Sequence, residues 1–376
     1  MSKHHRDRSW APAPEPLPED ARTIDNHTHV ASVVPFSRAM SHEAEVKGQP
    51  PVPVYSVDEL LDQAAAVGIE GVIDSGCELP DLMTAVQMAL DHPGVVHAAL
   101  AIHPNESVLH GHRGVPGPDG LELKYKPHHD VPFDQALAEV HRLAVAYPEQ
   151  VVAIGETGMD FFRTGGSARE LQRQAFRDHI ALAKELNLPM QIHDRDAHRE
   201  VIETLLADGA PEFTVFHSYS GDAEMAKVAR EHGWYLSMSG TVSYKGNDGI
   251  RESARIVGLD HVMVETDVPR TDERAVHDPV HAGRLGRRIR SAGGRGGARH
   301  PPRDAYRVRG VNGYCNALRS ISNGILAGCC GGLMNIVMYN GRYVTLPSWL
   351  RLPLHSTSAR SRFHSCTAMT LSSAVC

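Results

Sequence analysis

Residues 151–160 read Val-Val-Ala-Ile-Gly-Glu-Thr-Gly-Met-Asp. A short apolar run rich in β-branched residues stops at an acid, which is how a buried strand carrying chemistry at its end looks in sequence. Working outward, the same pattern recurs at Thr23–Val30, Gly71–Gly76, Val95–His103, Leu188–Asp194, Phe213–Ser218, Trp234–Ser239 and His261–Asp267. Helical spacing of apolar residues fills the intervals, at Val57–Val67, Leu79–Leu90, Phe133–Ala146, Ala168–Leu186, Arg195–Leu206, Glu224–Glu231 and Gly249–Ile256.

Eight strands alternating with helices predict an α/β fold, the (β/α)8 or TIM barrel. A doubly wound open sheet is the alternative, but the glycine fingerprint it carries after its first strand is missing. Insertions at Ser32–Pro53 and Glu106–Val131, rich in Pro, Gly and His, follow strands one and three. Both therefore fall on the face where βα loops build active sites.

Composition narrows the class. The chain has 376 residues, 41% hydrophobic and 22% charged, which argues against wholesale disorder or a disulfide scaffold. No window holds 18 uncharged apolar residues, and the first residues lack the apolar core of a secretory signal. A cytoplasmic enzyme without a membrane or stable protein partner is expected. The net charge of −7 averages two unlike segments. Residues 1–269 hold 22 Lys+Arg against 41 Asp+Glu, a balance of −19, whereas residues 270–376 hold 16 Arg, no Lys and four acids, a balance of +12. Five of the six cysteines lie in that basic tail, leaving Cys77 in the acidic part. The expected organisation is an unstructured 1–22, a barrel over 23–269 and an irregular appendage over 270–376.

The strand ends, read in order, converge on one cavity. Strand one ends in Asp25-Asn-His27-Thr-His29, strand three in Ile102-His103-Pro and strand four in Gly155-Glu156. Strand five ends in Ile192-His193-Asp-Arg195, strand six in Phe216-His217-Ser, and strand eight in Glu265-Thr-Asp267. His27 and His29, two apart on a strand, face the same side and form a two-ligand clamp. Neutral imidazole and carboxylate suit Zn²⁺, Mn²⁺ or Mg²⁺, and no thiolate is expected to favour a softer ion. Four histidines and two acids exceed the needs of one tetrahedral ion; two ions bridged by Glu156 would use them all. Asp267 would then hold a metal and take a proton from the attacking water. With 24 His in the chain, a lone histidine carries little weight, and His4, His5, His110, His112, His128, His129 and His300 are read as surface or packing residues.

Asp-x-His-x-His, Gly-Glu-Thr-Gly-Met-Asp-Phe-Phe, Ile-His-x-Arg-Asp-Ala, Phe-His-x-x-Ser-Gly and Glu-Thr-Asp-x-Pro, in this order, resemble the TatD family of metal-dependent deoxyribonucleases. The resemblance covers residues 23–269. It implies a TIM-barrel phosphodiesterase acting on DNA ends with divalent metal, often Mg²⁺. Position by position, His27, His29, Glu156, His193, His217 and Asp267 match that family's metal ligands, and His103 matches a histidine lining the site near the substrate phosphate. Arg195 has the forked geometry to clamp a phosphate; the plainer alternative is a salt bridge to Asp194 or Asp196. Carbon–nitrogen hydrolases on the same barrel also open with His-x-His, but they commonly bridge their metals with a carboxylated Lys on strand four, where this chain has Glu156. Neither a nucleotide-binding glycine motif nor a nucleophile-elbow Gly-x-Ser-x-Gly follows a strand. At −19, the barrel segment is no broadly basic binder of nucleic acid.

After Asp267 the pattern breaks. The family continues with a loop and covering helices; here come Arg/Gly runs and Ser-rich text without helical period. One reading is a basic arm for nucleic acid. The favoured reading is a shifted reading frame: back-translating Thr271–Val280 and moving one base forward permits Asn-Ala-Pro-Tyr-Met-Ile-Pro-Tyr, which resembles the family's segment after its strand-eight Asp. On that reading all six expected ligands survive but the covering helix does not, and a catalytically impaired member that retains its metal site is the alternative function.

Overall fold

Every residue of Val151–Asp160 is buried, and the segment is a strand from end to end. It is the fourth of eight. The others are β1 (Thr23–Thr28), β2 (Ile69–Gly76), β3 (Val96–Leu100), β5 (Met190–Arg195), β6 (Thr214–Phe216), β7 (Tyr235–Met238) and β8 (Val262–Val264), with Val151–Asp160 as β4. They form one parallel sheet in the order β1 to β8, nearly closed on itself, with helices between the strands. This is the expected (β/α)8 barrel. The computed structural model describes residues 16–17, 22–50, 52–112, 115–244, 246–267, 336–339 and 342–345. The chain divides into two units after Ser322.

The helices are α1 (Val30–Val46), α2 (Val57–Ala66), α3 (Asp81–Asp91), the short α4 (Pro104–Ser107), α5 (Phe133–Ala146), α6 (Ala168–Leu186), α7 (His198–Asp208), α8 (Ala223–Glu231) and α9 (Asp248–Val257). Local chemistry sets their starts. Ser56 accepts the Glu59 amide and Glu59 accepts the Ser56 amide, a reciprocal cap on α2. Asp222 caps α8 through the Met225 amide. The core between sheet and helices is built on fully buried Phe176, Ile180, Phe216, Leu100 and Ile154, each contributing roughly 1.5–3 kcal/mol by leaving water.

Two sequence expectations need correction. The insertion read at Ser32–Pro53 is largely α1, which begins directly after His29. Its buried residues Val30, Val33, Ser37 and Ala44 keep helical spacing, but only two of them are large and apolar, and Pro35 inside the helix masked the period. Strand eight is three residues rather than seven. Among the described residues of the appendage, Ile336–Tyr339 (β9) pairs antiparallel with Arg342–Thr345 (β10). Of the 1–22 segment only 16–17 and 22, and of the 270–376 appendage only 336–339 and 342–345, are described; the rest, with the expected loss of a covering helix, lies outside the described residues. None of the helices among those residues is long and apolar enough to cross a membrane.

The seam between β8 and β1 is closed by side chains rather than by a ladder. Thr266 donates its amide (3.0 Å) and its hydroxyl to the two oxygens of the buried Asp25, and the Asp267 amide donates to the His27 carbonyl (3.0 Å). That staple sets the position of Asp267 relative to the histidines of β1. Desolvation raises the Asp25 carboxyl to about 7, against the lowering effect of the Thr266 bonds.

Candidate metal centre

The strand ends bring six residues together, and Glu156 lies at their middle. Its Oε1 is 3.5 Å from His29 Nε2 and 3.9 Å from His27 Nε2. Its Oε2 is 2.5 Å from His217 Nε2 and 3.1 Å from His193 Nδ1. Asp267 Oδ1 approaches His29 Nε2 at 3.9 Å. One carboxylate thus serves two pairs of imidazoles, one oxygen for each. Glycines make room for this arrangement: a Cβ on Gly158, which has φ +141°, would lie 2.1 Å from the His193 carbonyl, so β4 and β5 approach only because that residue lacks one.

Three of the four rings are hydrogen-bonded from behind. His27 Nδ1 donates to Gln191 Oε1 (3.0 Å), whose amide is fixed by donating to the Asn26 carbonyl (2.6 Å). His29 Nδ1 donates to the Ser75 carbonyl (3.1 Å), and His193 Nε2 donates to Asp160 Oδ2 (3.3 Å). Behind His217, Nδ1 lies 3.8 Å from Glu265 Oε1. For His27, His29 and His193 these acceptors keep one ring proton on the outward nitrogen, so the inward nitrogen is the one open to a metal or, without it, to a second proton shared with Glu156.

That makes a direct test of fit for a metal. His27 Nε2 and His29 Nε2 face each other at 3.3 Å, and His193 Nδ1 and His217 Nε2 at 3.2 Å. Two lone pairs repel at such distances unless a proton or a cation lies between them, and about 3.3 Å is also the separation of two ligand atoms on one tetrahedral ion with bonds near 2.0–2.1 Å. The donor set fits divalent metal.

The ionisation pattern has the same origin. Burial acts to raise the Glu156 carboxyl, yet His217 and His103 beside it hold it well below the ordinary range. Burial acts to lower His29 and His193, but bonds to Glu156, and to Asp160 for His193, carry both up to about 9. His27 is pushed down to about 3 by burial and by the neighbouring His217.

His103 is wired differently. Its Nδ1 accepts the Asn105 amide (3.0 Å), so the neutral ring carries its proton on Nε2, which faces Glu156 Oε1 at 4.0 Å. His103 therefore offers a donor, not a lone pair. Arg195 stacks over Phe162 at 4.2 Å, and Asp194 pairs with His198 Nδ1 at 2.8 Å. Cys77 also borders the site, its Sγ donating to Glu156 Oε1 at 3.5 Å, and burial and that carboxylate push the thiol well above its usual range, which disfavours the thiolate.

Asp160, Gln191, Glu265 and Asp25 were not singled out in the sequence. Three of them sit two residues before a site residue, Asp25 before His27, Gln191 before His193 and Glu265 before Asp267, so strand alternation could have found them. Asp196, Ser218 and Asp267, with φ of 56°, 41° and 55°, turn the ends of β5, β6 and β8 through the left-handed region. Backbone strain of this kind gathers at functional sites.

The sequence profile of the TatD related DNase family matches residues 24–292. A metal-dependent hydrolase named TatD from Mycobacterium tuberculosis is 37% identical over 218 residues, which span 57% of this chain and 73% of that protein. A protein of Escherichia fergusonii named as the 3'-5' ssDNA/RNA exonuclease TatD is 29% identical over 216 residues, 56% of this chain and 72% of its own. The crystal structure of the TatD homologue YJJV from Escherichia coli superimposes with a TM-score of 0.54 at 22% identity, covering 77% of this chain and 94% of that one. The barrel, the strand-end centre and these likenesses agree: the chain belongs to the TatD related DNase family of metal-dependent hydrolases.

Proposed function

We propose that the barrel segment 23–269 is a nuclease that removes nucleotides from the ends of single-stranded DNA, with His27, His29, Glu156, His193, His217 and Asp267 holding two divalent cations. The observation that carries this reading is the division of Glu156: one oxygen faces the His27/His29 pair and the other the His193/His217 pair. Mg²⁺ is the first choice among ions, with Mn²⁺ or Zn²⁺ as substitutes. When bound, such cations polarise a phosphoryl oxygen and acidify a neighbouring water.

The chain's own groups supply the rest. The Asp267 carboxylate, next to the Thr266–Asp25 staple, would accept the proton of the attacking water. His103 would donate its Nε2–H to a phosphate oxygen. Arg195, whose guanidinium lies over the Phe162 ring, would contact the same phosphate or the next one. The acid on strand four, where carbon–nitrogen hydrolases of this barrel commonly carry a Lys, favours phosphodiester chemistry, and the exonuclease name of the Escherichia fergusonii relative supports a nucleic-acid end as substrate.

The test is cleavage of 5'-labelled single-stranded DNA with Mg²⁺ or Mn²⁺, beside Glu156→Ala. Stepwise shortening from the 3' end by the parent and none by the variant is the expected result. A folded, metal-loaded parent that leaves the DNA intact overturns the proposal.

A further inference from the structure

A second group of imidazoles and carboxylates stands outside the barrel centre, on loops of the same face. Glu78 follows β2, Glu106 belongs to α4, and Lys126, His128 and His129 belong to the 3-10 turn before α5 and its cap. His128 Nε2 lies 3.4 Å from Glu106 Oε2 and 3.8 Å from Glu78 Oε2. Those separations are long for hydrogen bonds, whose usual length is about 2.9 Å, and near the roughly 3.3 Å expected of two atoms sharing one tetrahedral ion.

His129 has a different part. Its Nδ1 accepts the Lys126 amide (2.9 Å), so its proton is on Nε2, which donates to Glu106 Oε2 (2.7 Å). It orients the carboxylate and is not itself a ligand. Lys126 Nζ bonds Glu78 Oε2 with its side chain 41% exposed, so an ammonium that is free to swing into solvent holds the place of a cation. Beside this group, His110 packs its ring 5.3 Å from His129. Its Nδ1 donates to the Val131 carbonyl (2.7 Å), which leaves a lone pair on Nε2, buried and without a hydrogen-bond partner.

We propose that Glu78, Glu106 and His128 form a separate divalent-cation site on the barrel rim, of the Zn²⁺ type, with His129 positioning Glu106 and Lys126 displaced on binding. One nitrogen and two carboxylate oxygens suit a borderline ion. Two carboxylates against one ammonium leave an excess negative charge that a divalent ion neutralises. A bound ion would also tie the loop before α5 to the start of α3.

Equilibrium dialysis of the full chain against Zn²⁺ tests the site without reference to hydrolysis. His128→Ala and Glu78→Gln, each checked for folding by circular dichroism, should bind one equivalent fewer than the parent. Lys126→Met should keep the number of equivalents and tighten one of them several-fold. His129→Ala should weaken that same equivalent by roughly tenfold. The rim equivalent should persist in Glu156→Ala, so a failure of the barrel-centre reading leaves it standing. Parent stoichiometry unchanged in both His128→Ala and Glu78→Gln would overturn the proposal.

Discussion

Two groups of histidines share the C-terminal face of this barrel, and His129 of the rim is wired in the opposite sense to the histidines of the centre. At the centre, His27 and His29 give their protons outward to Gln191 and Ser75, and His193 gives its own to Asp160. Their inward nitrogens are left facing Glu156 and one another. At the rim, His129 accepts a backbone amide and gives its proton inward to Glu106. His103, at the boundary, follows the rim pattern. What separates a ligand from a donor is therefore the backing partner rather than the ring. A carbonyl, amide oxygen or carboxylate behind the imidazole leaves the far nitrogen able to serve as a ligand, and an N–H behind it makes the far nitrogen a donor.

The strongest way to break this comparison is Glu156→Ala, which removes the oxygen facing each pair. Cleavage should fall at least about a thousandfold, and bound metal should fall with it, read by nuclease assay and metal analysis. His103→Ala should behave otherwise, lowering turnover by about a hundredfold while metal content stays at the parent level. If metal content also falls, His103 is a ligand and the donor assignment is wrong. Asp160→Asn keeps the shape behind His193 but removes the charge, and metal affinity should drop roughly 10- to 100-fold by titration. His129→Gln at the rim should change DNA cleavage by less than about twofold.

A subtler test uses a histidine that belongs to neither group. His179 on α6 is fully buried; its Nδ1 donates to the Ala175 carbonyl (2.7 Å) and its Nε2 accepts the Ile102 amide (3.1 Å). Burial lowers it from 6.5 to about 4. The folded protein thus resists protonating a ring that the unfolded chain protonates readily below 6.5. Its contribution is fully present above pH 6.5 and is lost as pH falls toward 4, about 3 kcal/mol across that window at 1.36 kcal/mol per unit. In EDTA, the melting temperature of the parent should fall more steeply between pH 6.5 and 4 than that of His179→Gln. Parallel curves would show that the ring titrates freely in the fold.

Much of this was legible because strands in a barrel covered on both faces must be apolar throughout, and their polar ends are then conspicuous. Val151–Asp160 is the extreme case, buried at every position. The helix α1 was not legible, since Pro35 and a weak apolar stripe hid its period. Strand β8 was overread because Glu265-Thr-Asp267 continues the β-like run, while Thr266 is committed to stapling Asp25 rather than to a ladder. Arg195 was weighed between a phosphate clamp and a carboxylate partner, and its stacking on Phe162 follows from neither sequence distance nor charge.

The sequence by itself determined the barrel, the strand-end residues and the chemistry they favour, because the alternation of period 2 and period 3.6 is local and the motif residues fall where each strand stops. Only the tertiary structure decided which imidazole nitrogen bears the proton, that Glu156 divides its oxygens between two pairs, and that His128 faces Glu78 across 50 positions of chain. Those outcomes depend on partners from other strands and loops. A histidine's tautomer is fixed by what stands behind it, and that neighbour is supplied by the fold.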